Sequence, residues 1–261
     1  MKCYHMSGAG NDFMVTDGRE LTGDLSQLAK KLCAVTGADG FIAAGESRRA
    51  DVRMHFYNSD GSRAEMCGNG ARCLCRFAYD TGLVRKESMT LETDAGLVPG
   101  TRLAENLYRV ALNVPTVLEP GRLPGVAYVE LGNPGLPHAV VQLEDWDSRE
   151  VNELRELGRR LRFASAFPKG ANVTFVKKLE DDHYRVRTFE RGVEDFTLAC
   201  GTGCGSTVSV LTMRGLCSGK NVRLESDGGT LTVSLTMEEG KVTALLLQGP
   251  TCIVTIGETV D

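Results

Sequence analysis

Two stretches decide how this chain is organised: CGNGARC at residues 67–73 and CGTGCGS at residues 200–206. Each opens with a cysteine, continues through small residues and runs into a segment free of proline, the pattern of a glycine-rich turn leading into a helix. Cys200 follows Cys67 by 133 residues in a chain of 261. The same offset carries Phe56 onto Phe189, Gly82-Leu83 onto Gly215-Leu216, and Leu91-Glu92, Asp94 and Gly96 onto Leu224-Glu225, Asp227 and Gly229. Identities at one fixed offset imply a duplicated unit, and a period this long gives two lobes rather than a solenoid.

Working outward, Asp24 to Thr36 places Leu25, Leu28, Leu32 and Val35 at amphipathic spacing, with Gly37 as the stop. Val52, Met54 and Phe56 alternate with polar neighbours, a half-buried strand that runs into the turn Asn58-Ser59-Asp60-Gly61 and then into the first cysteine motif. A helix is expected from Asn69 to about Asp80, then strands near 88–93 and 107–112. The second half repeats the order: helix 151–161, strands 172–176 and 184–189, helix 202–213, strands 221–225, 230–235 and 242–247. A last strand, 252–256, is free to join either lobe. Val114 to Gly125, with Pro115, Pro120 and Pro124, reads as the linker. The expected fold class is mixed α/β (α+β), divided into 1–116 plus 251–261 and 117–250.

Composition narrows the function classes. Lysine and arginine number 30 against 34 acidic residues, a formal charge of −4 that offers no electrostatic case for nucleic acid. No apolar run reaches the ~18 residues of a membrane span, and the amino terminus lacks a signal-like apolar stretch, so the expectation is a cytoplasmic protein with no membrane partner. Nine cysteines are many, but the odd count in a chain of this length argues for buried thiols rather than a disulfide framework.

A glycine-rich turn at a helix start points unpaired amides outward with the positive end of the helix dipole behind them, which suits an anion. A cysteine there feels the same field, which favours the thiolate. Cys67 and Cys200 are therefore candidates for acid and base. If both helix starts face one cleft, the amides around Gly68-Asn69 and Gly201-Thr202 hold a carboxylate while a thiol flanks each face of the adjacent carbon. Inverting an α-carbon needs that arrangement. A metal site is the competing reading, but Cys67, Cys73, Cys75, Cys200 and Cys204 lack the usual C-x2-C pair, so no metal is expected. A thiol-redox role, through a Cys67–Cys200 disulfide, is the other.

The chain resembles the diaminopimelate epimerase family, through SGAGNDF (7–13), NSDGSRAEMCGNGARC (58–73), GNP (132–134) with PH (137–138), GANVTFV (170–176), and ERG followed by LACGTG (190–203). The resemblance implies two pseudo-twofold-related lobes, each a mixed sheet around a central helix, with the active site in the cleft between them and the carboxy-terminal strand rejoining the first lobe. It implies a cofactor-independent isomerase of lysine and cell-wall precursor synthesis that interconverts LL- and meso-diaminopimelate, a small-molecule amino-acid substrate. Cys200 abstracts and Cys67 donates in the LL-to-meso direction. Gly68, Asn69, Gly201 and Thr202 hold the reacting carboxylate; Asn11, Asn58, Asn133, Asn172 and Arg191 bind substrate; Glu190 meets an ammonium and supports catalysis, and His138 stands near a cysteine. A homodimer is left open. The chain departs from the family pattern at Gly40, where a glutamine is common, in the split of NPH by Gly135-Leu136, and in ERG lying one residue further from its cysteine. A racemase of the same fold for another polar amino acid is the alternative these departures raise.

Overall fold

The computed structural model describes residues 1–258. Its contacts divide the chain into two compact units, Met1–Ala111 together with the segment from Gln248 onward, and Leu112–Leu247.

The first unit runs β1 (Lys2–Gly8), β2 (Asn11–Asp17), α1 (Leu25–Thr36), β3 (Gly40–Gly45), β4 (Val52–Asn58), α2 (Gly68–Asp80), β5 (Ser88–Thr93), β6 (Gly96–Ala104) and β7 (Leu107–Ala111). β1–β2 is antiparallel, β2–β3 parallel, β3–β4 antiparallel, β4–β5 parallel, and β5–β6 and β6–β7 antiparallel. Each parallel step needs a crossover, and α1 and α2 supply the two. α2 is buried almost all round, from Gly68 through Cys75 and again at Phe77 and Ala78, and packs against every strand from β1 to β7. A helix wrapped in this way must be small or apolar on all faces, and GNGARCLC nearly is. α1 covers part of the opposite face, where Ala29 and Cys33 meet Cys3, Met14, Phe41 and Ala43. Asp24 accepts the amides of Ser26 and Gln27 at its start, and Gly37, at φ 73°, ends it in the left-handed conformation that glycine adopts without strain.

The second unit runs β8 (Pro115–Leu123), β9 (Val126–Leu131), β10 (Leu136–Gln142), α3 (Val151–Arg162), β11 (Asn172–Glu180), β12 (His183–Glu190), β13 (Asp195–Thr197), α4 (Gly201–Met213), β14 (Val222–Ser226), β15 (Gly229–Glu238) and β16 (Lys241–Pro250), of which the part from Gln248 on belongs to the first unit. β9–β10 is antiparallel, β10–β11 parallel, β11–β12 antiparallel, β12–β14 parallel and β14–β15 antiparallel. The sequence of pairings is that of the first unit, with α3 in the place of α1 and α4 in the place of α2. β17 (Cys252–Glu258) belongs to the first unit and pairs antiparallel with β1, as β8 pairs with β9. Both units are mixed α+β, and the duplication extends to their internal topology.

Two readings of the sequence need correction. Val114–Gly125 is not a linker: Pro115 to Leu123 form β8. Pro115 is tolerated as the first residue of the strand, and Pro120 falls where the β8–β9 register breaks between Glu119 and Leu123, so neither needs to donate to the ladder. The 133-residue offset also fails at the phenylalanines. Phe56 shares a face with Met54, whose methyl lies beside Gly70 of α2, whereas Phe189 lies against Gly158 of α3 on the opposite face of its sheet. Thr188 takes the place of Phe56, an offset of 132, so the second unit has one more residue between strand and cysteine. Among the described residues no helix is long and apolar enough to cross a membrane.

Candidate active site

In the first unit Cys67 is the residue before α2, half-buried, with extended backbone at φ −135° and ψ 123°. The first intrahelical hydrogen bond runs from Ala71 N–H to the Cys67 carbonyl at 2.8 Å. The amides of Gly68 and Asn69 precede that bond and belong to the set that a helix start directs toward an outside acceptor. Asn69 is buried and its Nδ2 donates to Asn11 Oδ1 at 2.5 Å; Asn11 Nδ2 in turn donates to Asp39 Oδ2 at 3.1 Å. Asn58 closes β4 and a turn, its carbonyl accepting from Gly61 N–H and its Nδ2 donating to Ser62 Oγ at 2.9 Å. The structure thus gathers Asn11, Cys67, Gly68 and Asn69, with Asn58 at the end of a strand facing the same helix.

The second unit repeats the helix start. Cys200 caps α4 with extended backbone, φ −121° and ψ 104°, and its Sγ accepts the Gly203 amide at 3.4 Å, with Thr202 Oγ1 at 3.5 Å. Cys204 N–H to the Cys200 carbonyl, 2.9 Å, is the first intrahelical bond, which leaves Gly201 and Thr202 amides ahead of it. α4 lies close on its sheet: a Cβ on Gly203 would sit 2.7 Å and 2.8 Å from the hydroxyls of Thr174 and Thr188. Those hydroxyls, opposite each other on β11 and β12, bond at 2.9 Å. Alternation along the strands puts Asn172 and Glu190 on that same face, and His138 of β10 stands opposite Asn172. Asn172 Oδ1 accepts the Arg191 amide at 2.8 Å, Arg191 Nη1 donates to the Lys169 carbonyl at 3.0 Å, and Thr197 Oγ1 donates to Glu190 Oε2 at 2.9 Å. Asn133 is exposed, in the turn between β9 and β10 with a cis bond to Pro134; of the residues that split the motif, Gly135 ends that turn and Leu136 opens β10, opposite Leu131, two residues before His138.

The electrostatics of Cys200 differ from the sequence expectation. The helix start favours thiolate, and the Thr202 and Gly203 contacts act in that direction. Burial and, next, the nearby Glu190 carboxylate outweigh them and push the thiol well above its ordinary value. Cys200 at rest therefore holds its proton. His138 is completely buried, and burial with the Arg191 cation lowers it to about 3. It is a neutral imidazole at every working pH, and among the described residues neither ring nitrogen has a hydrogen-bond partner. A lowered histidine costs nothing above about pH 6.5, where folded and unfolded forms are both neutral; below that the unfolded chain takes up a proton that the folded one refuses. The difference is expected as up to ~1.4 kcal/mol of stability lost per pH unit between about 6.5 and about 3. Chemical denaturation of the wild type and His138→Gln across that range should show the steeper loss in the wild type.

A profile of the diaminopimelate epimerase family matches residues 3–112 and 131–251. The chain belongs to the diaminopimelate epimerase family. It is 40% identical over 254 residues to the diaminopimelate epimerase of Aquifex aeolicus, covering 89% of each chain. To that of Methanothrix thermoacetophila it is 35% identical over 280 residues, covering 98% of this chain and 95% of the relative. Among solved structures the fold matches a phenazine biosynthesis protein of the PhzF family from Bacillus anthracis, with TM-score 0.77, 17% identity and coverage of 100% and 99%. It also matches a hydroxyproline epimerase from Agrobacterium vitis, solved with trans-4-hydroxy-L-proline, with TM-score 0.69, 17% identity and coverage of 98% and 90%. Family membership makes the protein an isomerase, an epimerase by class.

Sequence reasoning did not single out Asp39 or the Thr174–Thr188 pair. Asp39 carries one signal, an acidic residue two positions after the left-handed Gly37 that ends α1 and directly before a buried strand. The threonines carried none, since a buried hydroxyl pair between two strands reads as ordinary strand composition. Of the other cysteines, Cys73 Sγ lies by Gly8 and Cys75 Sγ by Gly100, separate parts of the first unit. Among the described residues no cluster of three or more His, Cys, Asp or Glu side chains has metal-binding geometry.

Proposed function

We propose that the protein is a diaminopimelate epimerase that inverts one α-carbon by two-base proton transfer between Cys67 and Cys200, without cofactor. The observation that carries this reading is the repeated construction: two buried helices of matching topology, each begun by a cysteine in extended backbone and followed by three residues whose amides lie ahead of the first helical bond, the first two of them Gly68-Asn69 and Gly201-Thr202. On this reading the two starts share one cleft. The amides of Gly68, Asn69, Gly201 and Thr202 hold the reacting carboxylate, withdrawing charge as the carbanion develops, where fixed dipoles act most strongly in a site closed to water. A thiol is a weak base toward an α-hydrogen, so this stabilisation does much of the work.

The form of the enzyme that takes the LL isomer has its proton on Cys67 and abstracts with Cys200; the form that takes the meso isomer is the reverse. Burial and Glu190 disfavour the first form before substrate arrives, because they keep the proton on Cys200. The substrate's ammonium, beside Glu190, then opposes the Glu190 charge and lowers the cost of the Cys200 thiolate. Arg191 grips the distal carboxylate, while Asn58, Asn133 and Asn172 satisfy the remaining polar atoms. His138, neutral and buried, adds bulk and polarity behind Asn172 without supplying charge. The protein works in the cytoplasm on a free amino acid, and a homodimer is the assembly open to it.

During turnover of LL-diaminopimelate in deuterium oxide, the newly formed meso product should carry one solvent deuterium at the inverted carbon, read by mass spectrometry. Product formed without label would refute a two-base exchange. Gly40, which offers no side chain where a glutamine is common, favours testing a second reading, a racemase of another polar amino acid. A panel of amino acids resolved by chiral chromatography separates the two.

A further inference from the structure

Asp39 ties together the three places in the first unit where substrate-binding asparagines lie. Its Oδ2 accepts the Asp12 amide at 2.9 Å and Asn11 Nδ2 at 3.1 Å. Its own amide donates to the Asp12 carbonyl at 2.8 Å, and its carbonyl accepts Ser59 N–H, at 3.1 Å, in the turn that follows Asn58. The relay continues from Asn11 Oδ1 to Asn69 Nδ2 at 2.5 Å.

An asparagine amide has nearly the same shape in its two flipped orientations, so something outside it must decide which end points where. An ionised carboxylate only accepts. Asn11 must therefore turn its NH2 toward Asp39 and its oxygen toward Asn69, and Asn69 must meet that oxygen with its own NH2. The polarity of the whole relay is fixed at the Asp39 end.

We propose that Asp39 is a positioning residue that fixes the flip of Asn11, so that Asn11 Oδ1 faces the reacting centre as an acceptor for the substrate's α-ammonium. The placement follows from Asn69. Its backbone amide lies in the set that faces the reacting carboxylate, and its side chain touches Asn11 Oδ1. Carboxylate and ammonium are borne by one carbon, so an acceptor held beside the carboxylate site meets the ammonium. A carbonyl oxygen has two acceptor directions; Asn69 uses one, and the other is left for the substrate. A flipped Asn11 would present NH2 to a cation. The second unit has no counterpart, since Ala171 precedes β11 where Asp39 precedes β3. This inference rests on the epimerase reading above.

The test is a double-mutant cycle on epimerisation of LL-diaminopimelate, with thermal unfolding measured alongside. Asp39→Leu, which keeps the backbone bonds of Asp39 and removes the acceptor, should lower kcat/KM about 10- to 100-fold. Asp39→Asn should restore most of it, because Oδ2 alone takes both bonds and an amide oxygen can do the same. In an Asn11→Ala background, Asp39→Leu should have little further effect, because a positioning residue acts through its client. Additive losses from Asn11→Ala and Asp39→Leu, or Asp39→Asn as impaired as Asp39→Leu, would overturn the proposal while leaving the epimerase reading in place. A wild-type protein that neither epimerises the substrate nor exchanges its α-hydrogen overturns that reading and the proposal with it.

Discussion

Cys200→Ala is expected to abolish epimerisation, with kcat lowered by roughly a thousandfold or more, the scale of a lost general acid or base. Cys67→Ala should do the same. On the two-base reading each thiol serves one face of the α-carbon, so a variant with a single thiol can still take a hydrogen from one isomer and return it to the same face. Each variant should therefore retain slow α-hydrogen exchange with only one of the two isomers, and the isomer should differ between the variants. Serine is no substitute, because an alcohol is far less acidic than a thiol. The fold should survive. Cys200→Ala loses one weak bond from the Gly203 amide to sulfur, worth about 1 kcal/mol, and a small buried group. Near-wild-type rates in either variant, measured by circular dichroism or chiral chromatography, would remove that cysteine from the mechanism.

Gly203→Ala should combine a stability loss with inactivation. The added methyl would meet the Thr174 and Thr188 hydroxyls at 2.7 Å and 2.8 Å. Neither hydroxyl yields easily, because both are buried and bonded to each other between paired strands. The start of α4 must lift instead, and with it Cys200, Gly201 and Thr202. Overpacking of this kind costs about 1–3 kcal/mol, which for a chain of this size lowers Tm by roughly 2–12 °C. The activity loss should exceed tenfold, because a displacement well under 1 Å already spoils amides aimed at a developing charge. The matching Gly70→Ala is the control. There the nearest atoms are Ile42 Cδ1 at 3.0 Å and Met54 Cε at 3.3 Å, ends of side chains that can move, so its effect should be much milder. Equal effects from the two substitutions would show that the threonine pair does not set the position of α4.

The parts of this molecule that were legible in sequence are those whose signal is local. α1, α2, α3 and α4 carry their stops, caps or motifs within a few residues, and the strands around Val52–Asn58 and Ser88–Thr93 alternate cleanly. β9 and β10 do not. VAYVEL and LPHAVVQ are buried on both faces, between α4 on one side and the α3 cluster on the other, and a strand covered twice loses its period of two. β8 was hidden by its prolines. At the site, the cysteines and the glycines after them were readable because helix start, thiol and amides lie in consecutive residues. Asp39 was not, because its importance arises from β2, the exit of α1 and the turn after β4 meeting in space. The state of Cys200 is not legible in its motif for a related reason: the helix field is visible there, whereas burial and Glu190 come from other strands.

The pairing of β17 with β1 has a consequence for how the chain is made. Residues 112–247 form a contiguous unit that can complete its core during synthesis, but the first unit is made in two instalments. Until Cys252–Glu258 emerge, β1 shows the ribosome's surroundings the backbone edge that β17 will occupy, a row of hydrogen-bonding groups that invites the wrong strand. The first unit therefore lacks the strand beside β1 until that segment has been made. A circular permutant opened between Ala111 and Leu112, with β17 linked ahead of β1, would make all the strands of that unit in one stretch.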